Sequence, residues 1–484
     1  MPLWQPRGAD DRSRKNIMFS VTLDVDQWAE EQFGDCRLGD SRRTKRLVTM
    51  ASQFAQRPDG STPDQTENWA DLKAAYRFFD NNNVSHQAIL KPHFAWTREC
   101  LATQGGTVLL VSDTTEVDFG HQREATGLSP TGNGSGRGFF LHTSLAVDRG
   151  TGQALGMVAQ ELFHRKKVPA KETQTQRLAR ERESEVWGRV IDSVGRAPEG
   201  TVYRHVFDRG ADNYEVFCHL VDQKCEWVVR AAQTHRVVEM RNGRRVQLSE
   251  LLAEQEVRGT RTVQVKAQPN QSARTAKMEM RHVRIVMPRP RNVSPWVKDN
   301  GTSQIAMSAV QLLEPNPPKG CQALNWILLT SDQVKSPSQA RRVIEDYEQR
   351  PVVEELHKAV KTGCRVEQRQ YQTSARLERV TAVQCVVAVR LLQLRAHAQL
   401  TPERPAIEVV PEQWVRVISG VRHGSKRRDS VGMTVREFYR ELAKLGGFVG
   451  RKSDGEPGWI TLWRGFEKLQ LILRGINYYD TTCG

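Results

Sequence analysis

Between Gly106 and Asp212 the chain alternates in a way that leaves few folds open. GTVLLVSDTTEVDF reads as an apolar strand ending in Asp113, and FFLHTSLAVDRGTGQALGMVAQELF reads as a hairpin with DRGTG as its turn. TQRLARERESEVWGRVIDSV then reads as a helix, and TVYRHVFDRGAD as a further strand with Asp208 at its end. Strand, hairpin, helix, strand is the order of an α/β unit. Two of its strands deliver an aspartate where they stop.

A third carboxylate lies far downstream. In YEQRPVVEELHKAVKTG, Pro351 opens a helix, the position where proline is tolerated. Val353, Leu356 and Val360 then share a buried face, and Glu354, Lys358 and Lys361 lie on the other. Asp208 and Glu354 are 146 positions apart (354 − 208), more than a single crossover requires. Between them RTVQVKAQ and KMEMRHVRIVMP alternate apolar with polar, EPNPPKG punctuates, and NWILLTS reads as a last strand. An inserted all-β subdomain accounts for the gap.

Helical patterns bracket this unit. Upstream, DCRLGDSRRTKRLVTMASQFA sets a capping Asp40 before Arg42, Arg43, Lys45 and Arg46, with Leu47, Met50 and Phe54 as the apolar stripe. Cations in an opening turn oppose the helix dipole, a conflict that a phosphate backbone lying there would resolve. Downstream, AVQCVVAVRLLQLRAHAQL and ITLWRGFEKLQLILRGINYY read as helices, the last offering Trp463, Phe466, Leu469 and Leu473 as a face for packing or for a dimer contact.

Charge sets the kind of partner. The 484 residues carry a formal charge of +15, spread along the chain rather than massed in a tail, which favours a long DNA track over a lipid-binding patch. The polar amino terminus lacks the apolar core of a signal peptide, and no uncharged run is long enough for a membrane span. Eight cysteines without C-x-x-C pairs read as reduced thiols. The expectation is a cytoplasmic protein with no membrane partner.

Asp113, Asp208 and Glu354 supply what a two-metal phosphoryl-transfer site needs: hard oxygen ligands on rigid elements. Each alone is a weak signal, since an aspartate at a strand end is commonly a turn or cap residue. Tyr347, Arg350, Glu354 and Lys361 also follow the spacing Tyr, two residues, Arg, three residues, Glu, six residues, Lys. In this, in SDTTEV, FDRGAD, LGDSRRTKRL, AAYRFF, WVVR and AKLGGF, the chain resembles the bacterial insertion-sequence DDE transposases of the Tyr-Arg-Glu-Lys (YREK) class, near the transposon-five branch.

The resemblance implies an α/β fold: a ribonuclease-H-like catalytic core with an all-β insertion, flanked by helical N-terminal and C-terminal domains. The divisions expected are a disordered tail at 1–19, a helical DNA-end-binding domain at 20–95, the core at 96–240 and 325–372, the β insertion at 241–324, and a helical dimerisation domain at 373–484. It implies two Mg²⁺ ions, with Mn²⁺ as substitute, on Asp113, Asp208 and Glu354. Glu355, turned about 100° further round the helix, is the weaker ligand candidate. Tyr347, Arg350, Lys361 and Arg230 are implied as clamps on DNA phosphate, and Trp326 as the stacking platform for a flipped base. Arg42, Arg43, Lys45 and Arg46 are implied in recognition of the transposon end.

The implied partners are the double-stranded terminal inverted repeats, target DNA and a second copy of the chain in a homodimer. The implied activity is cut-and-paste transposition: nicking, hairpin formation and resolution, then strand transfer. Two other readings stay open. One is a catalytically inactive DNA-binding inhibitor or domesticated regulator, the other a nuclease without strand transfer. Two departures stand out. The transposon-five branch carries a tryptophan directly after the signature arginine, where this chain has Pro351, and Gly210 replaces a glutamate usual after Asp-Arg.

Overall fold

The structure, a computed structural model, describes residues 25–120, 125–169, 171–265, 273–400, 402–423, 432–451 and 454–483. The tail expected at 1–19 lies outside them. Among the described residues five helices come first: α1 (Val25–Phe33), α2 (Ser41–Gln56), the one-turn helix Thr62–Gln65, α3 (Trp69–Phe79) and α4 (His86–Gln104). The Asp40 side chain accepts the Arg42 N–H and caps α2, and Leu47, Met50 and Phe54 are buried as the stripe requires. Helix α4 runs straight through the division expected at 95/96.

Twelve strands then build one mixed sheet. They are β1 (Gly106–Asp118), β2 (Ser129–Thr131), β3 (Gly136–Asp148), β4 (Ala154–Phe163), β5 (Thr201–Phe207), β6 (Glu226–Arg230), β7 (Val237–Glu239), β8 (Arg245–Gln247), β9 (Gly259–Val265), β10 (Arg274–Pro288), β11 (Gln304–Leu313) and β12 (Asn325–Thr330). Their order is β2-β3-β1-β5-β6-β12-β11-β10-β7-β8, with β4 on β3 and β9 on β10. Strands β1, β5 and β6 are parallel, and β3 pairs β1 antiparallel.

Side chains of β1 alternate between two cores, as the period-two geometry of a strand demands. Leu109 and Val111 join one cluster with α4 and the later helices, while Val108 and Leu110 join another with α5 (Val186–Val194) and α6 (Tyr214–Asp222). The first face also receives α7 (Pro337–Tyr347), α8 (Val352–Lys358) and α9 (Ser374–Leu400).

Three expectations need correction. The inserted stretch 241–324 is not wholly β and not a separate sheet: it holds the short helices Leu248–Ala253 and Pro295–Asn300, and its long strands continue the central sheet through β12. The expected helix from 175 to 194 is broken, because Arg180 adopts an extended conformation and pairs with Glu172 while Arg182 pairs with Glu185 and Glu215. Strand β1 does not end at Asp113 but continues to Asp118, held by antiparallel pairing to β3.

The carboxy-terminal helices are α10 (Glu412–His423), α11 (Val435–Leu445) and α12 (Trp459–Cys483). Trp463, Phe466, Leu469 and Leu473 are all buried within the chain's own core, so of the two uses expected of this face it serves helix packing, and these residues do not offer the dimer contact. Trp463 and Phe466 pack on each other, and Phe466 meets Trp414 of α10. Among the described side chains of α12, Leu471 and Ile476 are the exposed large apolar ones.

Helices α11 and α12 cross closely at Gly465, where a Cβ would overlap the Leu442 carbonyl oxygen. Gly465→Ala is therefore expected to destabilise the protein by about 1–3 kcal/mol, because a packed backbone contact cannot absorb a methyl group without shifting. Thermal unfolding of the full chain measures this, and an unchanged Tm would contradict the close crossing.

Candidate active site

The sheet register brings the first two acids together. The parallel pairing of β1 with β5 runs to Val111↔Val206, so two residues further along each strand Asp113 and Asp208 stand at one level. Val111 and Val206 both face the core that holds α8, and the alternation of β1 returns Asp113 to that face. Val353 and Leu356 pack α8 there with Glu354 turned outward.

All three acids meet one guanidinium. Arg350 Nη2 lies 2.7 Å from Asp113 Oδ2 and 3.3 Å from Asp208 Oδ2, while Nη1 contacts Glu354 Oε1. The Arg350 side chain is 11% exposed. Burial pushes the Asp113 carboxyl above its ordinary range, Arg350 pulls it down, and the neighbouring Asp208 carboxylate pushes it up again. Three carboxylates thus share one cation, leaving a local charge of −2 when all are ionised.

That donor set fits a divalent ion: carboxylate oxygens are the ligands Mg²⁺ and Mn²⁺ prefer, and the site remains net negative with Arg350 in it. Among the described residues no group of three His, Cys, Asp or Glu side chains is already arranged to hold an ion. The arginine fork is what the three acids now contact. Glu355 takes no part in this cluster, since it pairs with Arg395 of α9 at 3.0 Å.

A second cluster adjoins the first. Trp326, half-buried at the start of β12, meets the Tyr347 ring edge-on at 5.7 Å, and the Arg230 guanidinium lies 5.9 Å from the Trp326 ring. Arg230 also donates to the Tyr347 hydroxyl, countering the upward push that burial gives that group. Lys361 is not joined to the acids by any such contact. It sits in a π turn, Ala359–Gly363, with Nζ 3.3 Å from Glu367, and lines a cavity of about 460 Å³ with Arg365, Trp459, Trp463 and Arg464.

The four basic residues of α2 divide into two kinds. Arg43 donates to the Leu38 carbonyl at 2.7 Å, and Arg46 pairs with Asp71 of α3 at 2.7 Å. Arg42 and Lys45 are exposed, Arg42 pairing only with the cap residue Asp40. Two cations of the opening turns are thus engaged within the fold, and the other two face outward.

Behind Asp113 lies a layer the sequence reading passed over. His142 is fully buried, with Nδ1 2.7 Å from Thr114 Oγ1 and its ring 4.3 Å from the Trp187 ring. Burial pushes its pKa down to about 3, and that of His357 on α8 likewise. Within FFLHTSLAV the histidine reads as one more strand residue, and only the cross-strand partner singles it out.

Residues 25–84 match a family model described as "Transposase DNA-binding", and residues 386–483 match one described as "Transposase Tn5 dimerisation domain". The first spans α1 to α3, and the second runs from within α9 to the end of α12. Among the described residues no helix is long and apolar enough to cross a membrane.

Removing the shared cation tests the electrostatics of the site. In Arg350→Met the three acids repel without a counter-ion, so Tm at pH 7 should fall below wild type and recover on adding millimolar Mg²⁺. A raised carboxyl pKa means the folded state binds protons more readily than the unfolded one, so stability rises as pH falls toward the unfolded carboxylate range near 4. The deficit of the variant should therefore shrink between pH 7 and pH 5. A deficit independent of both pH and Mg²⁺ would mean that Arg350 contributes only packing.

Proposed function

We infer, from the premise that the chain is a Tn5-like insertion-sequence transposase, that it is a DDE-type DNA transposase whose catalytic acids are Asp113, Asp208 and Glu354. The observation that carries this reading is their convergence on Arg350 from elements up to 241 positions apart (354 − 113). Parallel β1, β5 and β6, flanked by antiparallel β3 and β4, support a ribonuclease-H-like core. The reaction proposed is nicking of one strand at a transposon end, hairpin formation and resolution, then joining of the freed 3′-hydroxyl to target DNA.

The chain's own residues act as follows. Asp113, Asp208 and Glu354 hold the divalent ions, which when bound supply Lewis acidity and lower the pKa of the attacking water or hydroxyl. Arg350 leaves the acids and grips a DNA phosphate, a tetrahedral anion whose two non-bridging oxygens its planar fork can hold through two parallel hydrogen bonds. Tyr347 and Arg230 line the adjoining surface. Trp326 offers its indole for stacking an extruded base, a contact worth about 1–3 kcal/mol. Pro351, directly after Arg350, presents only a small exposed ring where the transposon-five branch carries an indole, which leaves Trp326 the larger share of that stacking.

End recognition is assigned to the amino-terminal module, with exposed Lys45 and exposed Arg42, whose contact with its cap neighbour Asp40 is a surface one, the cations that meet phosphate. Pairing of two ends is assigned to the carboxy-terminal helices. Leu471 and Ile476 of α12, rather than the buried Trp463 stripe, are the residues available to a second copy.

Incubation with DNA ends and Mg²⁺, followed by denaturing gels that separate nick, hairpin and joined product, tests the reading. Asp113→Ala, Asp208→Ala and Glu354→Ala should each abolish every product while gel-shift affinity stays near wild type; Glu355→Ala should remain active. Nicks without hairpin or joined product would mark a nuclease, and binding without any product an inactive regulator.

A salt titration tests the recognition surface. Each phosphate contact contributes about 0.9 to the slope of log affinity against log salt. Arg42→Ala/Lys45→Ala should therefore weaken end binding and flatten that slope by about 2. Arg46→Ala, whose partner is Asp71, should chiefly lower Tm. An unchanged slope in the double variant would move recognition elsewhere.

A further inference from the structure

Asp346 sits at the end of α7, one residue before Tyr347 and four before Arg350. Its side chain is 2% exposed and gripped on both oxygens. Arg149 donates from Nε to Oδ1 at 2.6 Å and from Nη2 to Oδ2 at 2.9 Å, and Arg204 donates from Nη1 to Oδ2 at 2.8 Å. Arg149 belongs to the turn between β3 and β4. Arg204 lies within β5, four residues before Asp208, and is 6% exposed. It also pairs with Asp332 at 2.8 Å and Glu226 at 2.5 Å.

Such a network is a poor device for stability alone. Taking ions out of water costs several kcal/mol each, and apolar groups of similar volume often serve as well or better. What bidentate arginine pairs add is orientation, because the planar fork accepts a carboxylate in few geometries. The location then matters. One end of the network is on β5, which delivers Asp208, and another is on the hairpin whose β3 pairs with the strand of Asp113. The third is the end of α7, from which the chain turns directly through Arg350 into α8 and Glu354.

We propose that Asp346 is a positioning residue, which with Arg149 and Arg204 holds the α7–α8 turn in register with the sheet so that Glu354 meets Asp113 and Asp208. This rests on the assignment of those three acids as metal ligands. Asp346 touches neither DNA nor the reacting atoms. Its loss displaces Glu354 and Arg350 while leaving the end-recognition helix Ser41–Gln56 in place, and a displacement of about 1 Å costs roughly 100-fold in rate.

The test pairs Asp346→Leu with Arg149→Met. This double variant removes one anion and one cation together, and Arg204 keeps Glu226 and Asp332 as partners. It should retain a cooperative melt near the wild-type Tm and end affinity within about twofold, while single-turnover nicking at saturating DNA falls about 10- to 100-fold. The Mn²⁺ concentration that half-saturates the protein, read by isothermal titration with bound DNA, should rise by a similar factor. Wild-type nicking and Mn²⁺ affinity in this variant would overturn the inference.

If the double variant does not fold, the isosteric Asp346→Asn takes its place with the same expectations. Loss of fold in both would make Asp346 a folding residue and overturn the inference equally. Wild type and Asp113→Ala run alongside as controls. A wild type that neither nicks nor binds Mn²⁺ defeats the underlying assignment. If wild type is active, Asp113→Ala inactive and the double variant unimpaired, only the positioning role fails.

Discussion

Three carboxylates on one face of a sheet repel one another, and a fold that gathers them must supply a cation or protonate them. Here the cation is Arg350, whose single guanidinium bridges Asp113, Asp208 and Glu354. Much of the surrounding architecture can be understood as the means of bringing that arginine and those acids to one point. The parallel register of β1 and β5 sets two acids level, and α8 adds the third by burying Val353 and Leu356 against the same core. A guanidinium does not deprotonate at accessible pH, so this counter-ion leaves only by being exchanged for another partner.

The exchange partners are chemically matched. In the proposed reaction a DNA phosphate would take the arginine and divalent cations the acids, so each event would ease the other. A cluster carrying −2 with its arginine carries −3 without it, and the second state needs multivalent positive charge. The same logic extends along the chain, whose excess of cations is only partly neutralised internally: Arg46 and Arg204 are held by acids, while Arg42 and Lys45 face solvent. Buried or half-buried charges with distant partners organise the fold, and exposed ones, Arg42 with only its neighbour Asp40 beside it among them, are available to a polyanion.

Local pattern in the sequence carried much of this. The hairpin, the strand leading to Asp208 and the buried face of α8 are all short-range features, and the fold realises each; of the spaced residues from Tyr347 to Lys361 it joins Arg350 and Glu354 to one cluster and sets Lys361 apart. What was not legible depends on partners distant in sequence. Asp113 reads as the end of a strand because its apolar run stops there, yet antiparallel pairing to β3 carries β1 on to Asp118. Trp463 and Phe466 read as an open apolar face because nothing local says that α10 and α11 cover them. Arg46 looks as free as Lys45 until Asp71 appears beside it. Asp346 was hidden for the same reason, since its partners lie 142 and 197 positions away.

The central claim is that Arg350 is an exchangeable counter-ion, so that DNA binding and metal loading are thermodynamically linked. Titrating Mn²⁺ into the wild-type protein with and without a duplex bearing a transposon end measures the linkage directly. The account predicts that DNA tightens Mn²⁺ binding, and that Mn²⁺ tightens DNA binding by the same factor, as reciprocity requires. Equal Mn²⁺ affinity in the presence and absence of DNA would contradict it.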